Sequence, residues 1–277
     1  IQVQLRRQTV RHRCQRRKEI MKYIPIKQIE DTGVARGLFT SGGSGWWPFR
    51  GENAGTEIPE ADLANYRELA AHLGTDPDHM NRVDQKHTDR VMTVRSENAG
   101  EGVIRVSETG PCDGMITDVP GTVLCIVTAD CVPVFLVDPV KKAAGLVHSG
   151  WKGTAAEIAV NVVRAMKSAY GTDPADLIVC LGPYICSSCY EVSDDLRDDF
   201  GLRYTAAEMD EIFREGRPGH CYLDLGRAIS ISLTREGVAK SAIHDPSLCT
   251  YHSEERFFSW RRDHTKGKNI LSALMLK

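Results

Sequence analysis

The chain lacks any apolar run approaching the roughly 18 residues that a membrane-spanning helix needs, which argues against a helical membrane protein. It also lacks the apolar core of a secretory signal near its start, any low-complexity linker and any repeat at a solenoid period. Net charge is slight, formally -2, and hydrophobic and charged residues make up 42% and 26% of the chain, the balance of an ordinary globular protein. That charge is unevenly spread. Residues 1–20 carry Arg6, Arg7, Arg11, Arg13, Arg16, Arg17 and Lys18 against Glu19 alone. A basic arm can bind nucleic acid, but this one has no apolar periodicity, and Met21 heads the sequence MKYIPIKQ. The expectation is therefore a disordered basic leader over 1–20, one domain over 21–277, and neither a nucleic-acid nor a membrane partner.

A disulfide framework is missing too. The nine cysteines are an odd number, and Cys125 and Cys180 fall inside apolar, strand-like runs. This usage fits a reducing compartment, where thiols act as small hydrophobes or ligands, so a cytoplasmic protein is expected. Cys186-Ser-Ser-Cys189 has the spacing of a metal or redox pair, but no second such pair completes four ligands. Loop or packing cysteines are expected there. The glycine-rich segment from Ser41 to Gly45, followed by Trp46 and Trp47, lacks the Gly-Lys-Ser/Thr ending of a phosphate-binding P-loop and reads as a loop with an aromatic lid.

What is present is concentrated between Cys112 and Trp151. The runs Val123–Val127, Val132–Val137 and Ala143–Val147 are short, β-branched and apolar throughout, the pattern of strands buried on both faces. Between the first two lies Thr128-Ala129-Asp130-Cys131, and the third runs into His148-Ser149-Gly150-Trp151. Upstream, Asp84-Gln85-Lys86-His87 supplies a second imidazole, within a segment Val83–Val94 that alternates like a strand. These spacings suggest that His87, Cys131 and His148 meet.

Around this centre, Ala61–Leu73 reads as an amphipathic helix ended by Gly74, and Gly153–Ala169 as the clearest helix, stopped by Gly171. Asp176–Leu181 reads as a buried strand, Asp194–Glu215 as a polar helix and Asp224–Val238 as an amphipathic one. A terminal β portion is expected from Phe257–Asp263, a turn at Lys266-Gly267 and the strand Ile270–Leu276. Met21–Thr40 reads as two strands around a turn at Asp31-Thr32-Gly33. Strands and helices stay mixed, giving an α/β or α+β domain.

Two imidazoles and one thiolate form a borderline-soft set suited to zinc, with copper as competitor. Three protein ligands leave a fourth position open, the arrangement of a catalytic metal, which brings a bound water to a pKa of about 7. Asp130 would orient a ligand or serve as general base. The helix start after Trp151, with Gly150, Lys152 and the cation of Arg261, suits an anionic substrate group such as phosphate. The same residues also suit a metal-free chemistry in which Cys131 is a nucleophile and His148 or His87 its base. Residue types alone leave these two open.

Several motifs occur together and in order: Gln85-Lys86-His87, Thr128-Ala129-Asp130-Cys131-Val132-Pro133, His148-Ser149-Gly150-Trp151-Lys152-Gly153, Gly182-Pro183 with Cys189-Tyr190-Glu191-Val192, Leu223-Asp224-Leu225, Cys249-Thr250 and Phe257-Phe258-Ser259-Trp260-Arg261-Arg262-Asp263. In these the chain, from about Gly37 to Leu276, resembles the YfiH-like family, also called laccase-domain proteins, multicopper polyphenol oxidases or peptidoglycan editing factors. The resemblance implies a single domain of mixed β-sheets with flanking helices, and zinc at His87, Cys131 and His148. It implies phosphorolysis of purine nucleosides (adenosine, inosine, guanosine, methylthioadenosine) with adenosine deamination in the same site, by a monomer or small homo-oligomer. A copper-dependent polyphenol oxidase (laccase) and a cell-wall precursor editing or binding factor are the alternatives. One Cys and two His make one metal site, and no second set of closely spaced His pairs is visible for a multicopper cluster. Two departures bear on phosphate: Ser41 stands where relatives often carry Arg, leaving Arg50 or another cation to substitute, and Lys268 replaces a common Arg, a point charge in place of a bidentate fork.

Overall fold

The computed structural model describes residues 23–42, 60–264 and 268–277. The basic leader, the glycine-rich loop from Gly43 with Trp46, Trp47 and Arg50, and the turn at Lys266-Gly267 lie outside these described residues.

Two mixed sheets lie face to face. One orders its strands as Tyr23–Pro25, Ala35–Thr40, Ile270–Leu276, Val123–Thr128 and Met80–Arg82. The other runs Ile243–His244, Ile178–Leu181, Val132–Asp138, Ala143–Ser149, Gly114–Thr117 and Val91–Thr93. A small third sheet joins Glu191–Ser193, His220–Leu223 and Phe213–Glu215. Period-two alternation sorts each central strand between two cores. From Val123–Thr128, Leu124 and Ile126 enter the layer between the sheets, where they meet Phe135, Val137, Leu146 and Met115. Val123, Cys125 and Val127 face outward against Tyr66, Leu69 and Leu73 of the helix Glu60–Leu73. From Val132–Asp138, Val132, Val134 and Leu136 point to the opposite outside, where Val162, Val163 and Met166 of the helix Ile158–Tyr170 and Ile229 and Leu233 of Leu225–Arg235 cover them.

The described fold is thus helix, sheet, sheet, helix: a mixed α/β domain, as the pattern predicts. The central strands are apolar throughout because neither of their faces meets water. At roughly 1.5–3 kcal/mol for each large apolar side chain fully buried, these layers supply the bulk of the driving force for folding. Two strand glycines set the distance of one helix. A Cβ at Gly114 or at Gly145 would lie 2.8 Å from a methyl of Val162, so the helix seats on the sheet only because both positions are bare.

Several elements differ from the expectation. His87 is not in a strand: Val83–Val94 contains only Val91–Thr93 as strand, and His87 sits on the preceding loop with φ 60°, a left-handed conformation closed to a ladder. The clearest helix begins earlier and is broken in two, Trp151–Ala155 and Ile158–Tyr170, by Glu157 at φ 57°. The Arg235 guanidinium hydrogen-bonds the Glu157 carboxylate and holds this break. Asp194–Glu215 divides into Leu196–Gly201, Ala206–Ile212 and the strand Phe213–Glu215; a capping box between Thr205 and Glu208 starts the second helix. Trp260–Asp263 is a helical turn, not a strand, capped by the Ser259 hydroxyl accepting from Arg262 N–H. A helical turn, Lys27–Glu30, also stands between the first two strands. Among the described residues, no helix is long and apolar enough to cross a membrane.

Candidate functional site

Cys131 stands where the chain leaves one sheet for the other. Val123–Thr128 belongs to the first sheet and Val132–Asp138 to the second, with only Ala129, Asp130 and Cys131 between them. Such an abrupt change of direction requires an unusual backbone, and Asp130 adopts φ 91°. Its side chain fastens the turn. Oδ1 accepts from Thr250 Oγ1 at 2.6 Å and Oδ2 from the Arg261 backbone N–H at 2.7 Å, while the Asp130 carbonyl accepts from Ile185 N–H.

Sheet register delivers the next two groups. Val132 pairs with Ser149 and Pro133 with His148, so the hairpin's open end brings Cys131 beside His148 and Gly150. On the other side of His148, Gly114 pairs with Val147, and the His148 N–H donates to the Asp113 carbonyl. Asp113 is fully buried. Its Oδ1 lies 2.7 Å from His148 Nδ1, which turns the other ring nitrogen toward Cys131. Its Oδ2 accepts from Lys86 N–H at 3.2 Å, Thr88 N–H at 2.6 Å and the Thr88 hydroxyl at 2.9 Å, and so holds the loop carrying His87.

One ligand atom each from His87, Cys131 and His148 lies within 4.8 Å of the others, and the two imidazole centroids are 4.8 Å apart. The three predicted ligands are therefore brought together. Their exposure is graded: His148 is buried, Cys131 is half-buried and His87 faces solvent. Gly150, itself buried, keeps the space beside the His87 ring and the Cys131 sulfur clear. A Cβ there would come within 2.5 Å of His87 Nδ1 and 3.0 Å of Cys131 Sγ.

The electrostatics oppose one another across the cluster. Burial depresses the His148 pKa, but the Cys131 sulfur and the Asp113 carboxylate outweigh it and push it up to about 9. Burial lowers the pKa of His87, and the His148 and Lys152 charges add to that against the raising effect of Asp113. Burial also raises Asp113, but hydrogen bonds from His148 and Thr88 pull its pKa below the ordinary carboxylate value. A carboxylate ionised beneath an imidazole whose second nitrogen faces a sulfur is the outer shell that metal-binding histidines commonly have. The donor set of two imidazole nitrogens and one sulfur fits a zinc or copper ion bound by three protein ligands with a position left over.

The expected substrate-binding residues are only partly gathered. The ammonium of Lys152 is exposed and lies 5.5 Å from the Trp151 ring. Together they border a surface depression with Asp199, Leu202 and Arg203. Arg261 stacks over the Tyr190 ring at 5.2 Å and donates from Nη1 to the Glu191 carbonyl at 2.6 Å. Burial and then the neighbouring Cys131 sulfur raise the Tyr190 pKa, which identifies that phenol as a further neighbour of the ligand cluster. Asp113 carries no strong signal in the sequence. Its one signal is a carboxylate at the mouth of an apolar strand, in Cys112-Asp113-Gly114.

A family model described as multi-copper polyphenol oxidoreductase laccase matches residues 39–277. A Bacillus subtilis protein named purine nucleoside phosphorylase YlmD is 32% identical over 242 residues, covering 86% of each chain. Its Geobacillus stearothermophilus namesake is 35% identical over 245 residues, covering 86% of this chain and 89% of its own. The crystal structure of a Bacillus licheniformis hypothetical protein YfiH superposes with a TM-score of 0.83 at 31% identity, covering 94% of this chain and 98% of the other. On sequence and fold alike, the chain belongs to the laccase-like family of YfiH and YlmD.

Proposed function

We propose that the chain is a zinc-dependent purine nucleoside phosphorylase, accepting adenosine, inosine, guanosine and methylthioadenosine, and that the same site deaminates adenosine. The observation that carries this reading is the convergence of His87, Cys131 and His148 within 4.8 Å, with Asp113 buried behind them and Gly150 leaving room beside His87 and Cys131. The names borne by the relatives supply the reaction class. A zinc ion held there would act as a Lewis acid and lower the pKa of a coordinated water to about 7.

The chain's own residues would do the rest. Lys152, whose charge reaches His87, would draw the phosphate to the ligand cluster. A phosphate oxygen then bonds to the sugar carbon bearing the base. The carbon–nitrogen bond breaks, and its electron pair leaves with the purine, which takes up a proton. Tyr190 and the Arg261 stacked on it would form a platform for the base beside Cys131. Asp130, with both oxygens engaged, would position Cys131 rather than move protons.

Adenosine incubated with and without phosphate tests the reading by chromatography. Adenine and ribose phosphate, formed only with phosphate, would establish phosphorolysis, and inosine deamination. Absence of all these products from the metal-loaded protein would overturn both. The copper polyphenol oxidase is the second reading, favoured by the description of the family model and by a sulfur–imidazole set that also accepts copper. Copper content together with oxidation of a phenol by dioxygen would support it.

A further inference from the structure

Cys186 and Cys189, expected from the sequence to be loop or packing residues, have company. Cys249 and His252, which follow one another as Cys-Thr-Tyr-His, come to the same place. One ligand atom from each of Cys186, Cys189, Cys249 and His252 lies within 4.8 Å of the other three. Cys189 Sγ is 3.1 Å from His252 Nε2, and the Cys186 backbone N–H donates to Cys249 Sγ at 3.4 Å. The sequence conceals this grouping because the second half is Cys-x-x-His instead of a second Cys-x-x-Cys, and lies far along the chain.

We propose that these four residues form a second metal site, a closed three-cysteine, one-histidine zinc centre with a structural role. Tetrahedral zinc, with sulfur at about 2.3 Å and nitrogen at about 2.0–2.1 Å, spaces its ligand atoms by somewhat under 4 Å. Small side-chain rotations would bring the present cluster to that geometry. Four protein ligands fill the coordination sphere, which separates this centre from the three-ligand cluster at His87.

Backbone architecture supports a built site. The N–H groups of Cys189 and Tyr190 both donate to the Cys186 carbonyl, a turn that puts the two sulfurs of the pair on one side. Tyr184 bridges the opposing segment through Tyr184 N–H to Leu248 O and Thr250 N–H to Tyr184 O, both at 3.0 Å. Three thiolates and a neutral imidazole around a divalent ion leave one net negative charge. A guanidinium stands at each segment: Arg214 donates to the Ser187 carbonyl, and Arg262 to those of Thr250 and Tyr251.

The location gives the centre its purpose. Thr250, next to Cys249, holds Asp130 Oδ1, and Tyr190, next to Cys189, neighbours Cys131. Zinc would therefore tie the two segments that buttress the turn bearing Cys131, with no contact to substrate.

Elemental analysis of the full chain, purified under reducing conditions without chelator, tests this. The variant in which His87, Cys131 and His148 are all alanine should retain about one equivalent of zinc. Adding Cys186→Ser and Cys189→Ser should remove it. Cobalt loaded into the first variant should show intense thiolate-to-cobalt charge transfer and tetrahedral ligand-field bands. A triple-alanine variant that is folded by circular dichroism yet binds neither metal would overturn the proposal, as would a Cys186–Cys189 disulfide in the reduced preparation. Because that variant lacks the other cluster, the result is independent of the proposed catalytic activity.

Discussion

Asp113 Oδ1 lies 2.7 Å from His148 Nδ1 while the other oxygen of the same carboxylate accepts from both donors of Thr88, so one buried residue sets the geometry of both imidazoles. Asp113→Asn presents an amide N–H₂ to one side of this arrangement and removes the charge that favours the His148 proton. Loss of such an outer-shell carboxylate commonly costs about 10–100-fold in metal affinity or activity. Equilibrium zinc affinity and kcat/KM, measured on the same preparation, should both fall by that order. An unchanged affinity would mean that the two histidines do not depend on Asp113.

Gly150 provides a purely steric test. Its φ of -79° suits any residue, so Gly150→Ala meets no backbone penalty. The added methyl would instead press on His87 Nδ1 and Cys131 Sγ. Metal binding and turnover should drop at least about tenfold, and because Gly150 is buried the thermal midpoint should fall as well, by the equivalent of the roughly 1–3 kcal/mol that an overpacked interior costs. Gly201→Ala, where a Cβ would meet nothing within 4 Å, is the matched control and should leave activity intact.

The parts of the molecule that could be read in advance are those where burial alone decides. Val123–Thr128, Val132–Asp138 and Ala143–Ser149 are covered on both faces, and continuous apolar sequence follows directly from that. Cys131 and His148 could be paired because they flank one hairpin. Alternation around His87 suggests a strand, whereas the hydrogen bonds that hold its loop come from Asp113, which no local pattern links to Lys86 or Thr88. The same reason hid Cys249 and His252 from Cys186. Contacts made across the fold leave no period in the sequence, and the helix break at Glu157 depends in the same way on an Arg235 that arrives from another helix.

Asp130 separates positioning from proton transfer. Asp130→Asn keeps a residue tolerant of positive φ, but its amide nitrogen cannot accept the hydrogen bond that one oxygen now accepts from Thr250 or Arg261. A buried donor left unsatisfied costs about 1–3 kcal/mol. Unfolding in urea should show a loss of that size. Turnover should persist with an unshifted pH profile if the carboxylate only anchors the turn. Disappearance of a limb from that profile, with zinc still bound, would instead identify Asp130 as the general base.

Glu101 governs a separate, acid-dependent part of stability. It is buried, and its Oε1 accepts from the Ser107 hydroxyl, the Glu108 and Thr109 N–H groups and the Thr109 hydroxyl, while Oε2 accepts from Asn98. Burial raises its pKa, but these hydrogen bonds prevail and hold it below the ordinary 4.5. A depressed carboxyl stabilises the folded state fully above its unfolded value. Below that value the unfolded chain takes up the proton first, and the contribution fades until the pH passes the folded value. Glu101→Gln should therefore lower the thermal midpoint at neutral pH while flattening its decline as the pH falls below the ordinary 4.5. Gln replaces an acceptor oxygen with an N–H₂ facing existing donors, at a neutral-pH cost of about 1–3 kcal/mol. Parallel acid limbs in wild type and variant would show that the loop closed by Ser107 and Thr109 does not depend on the charge of Glu101.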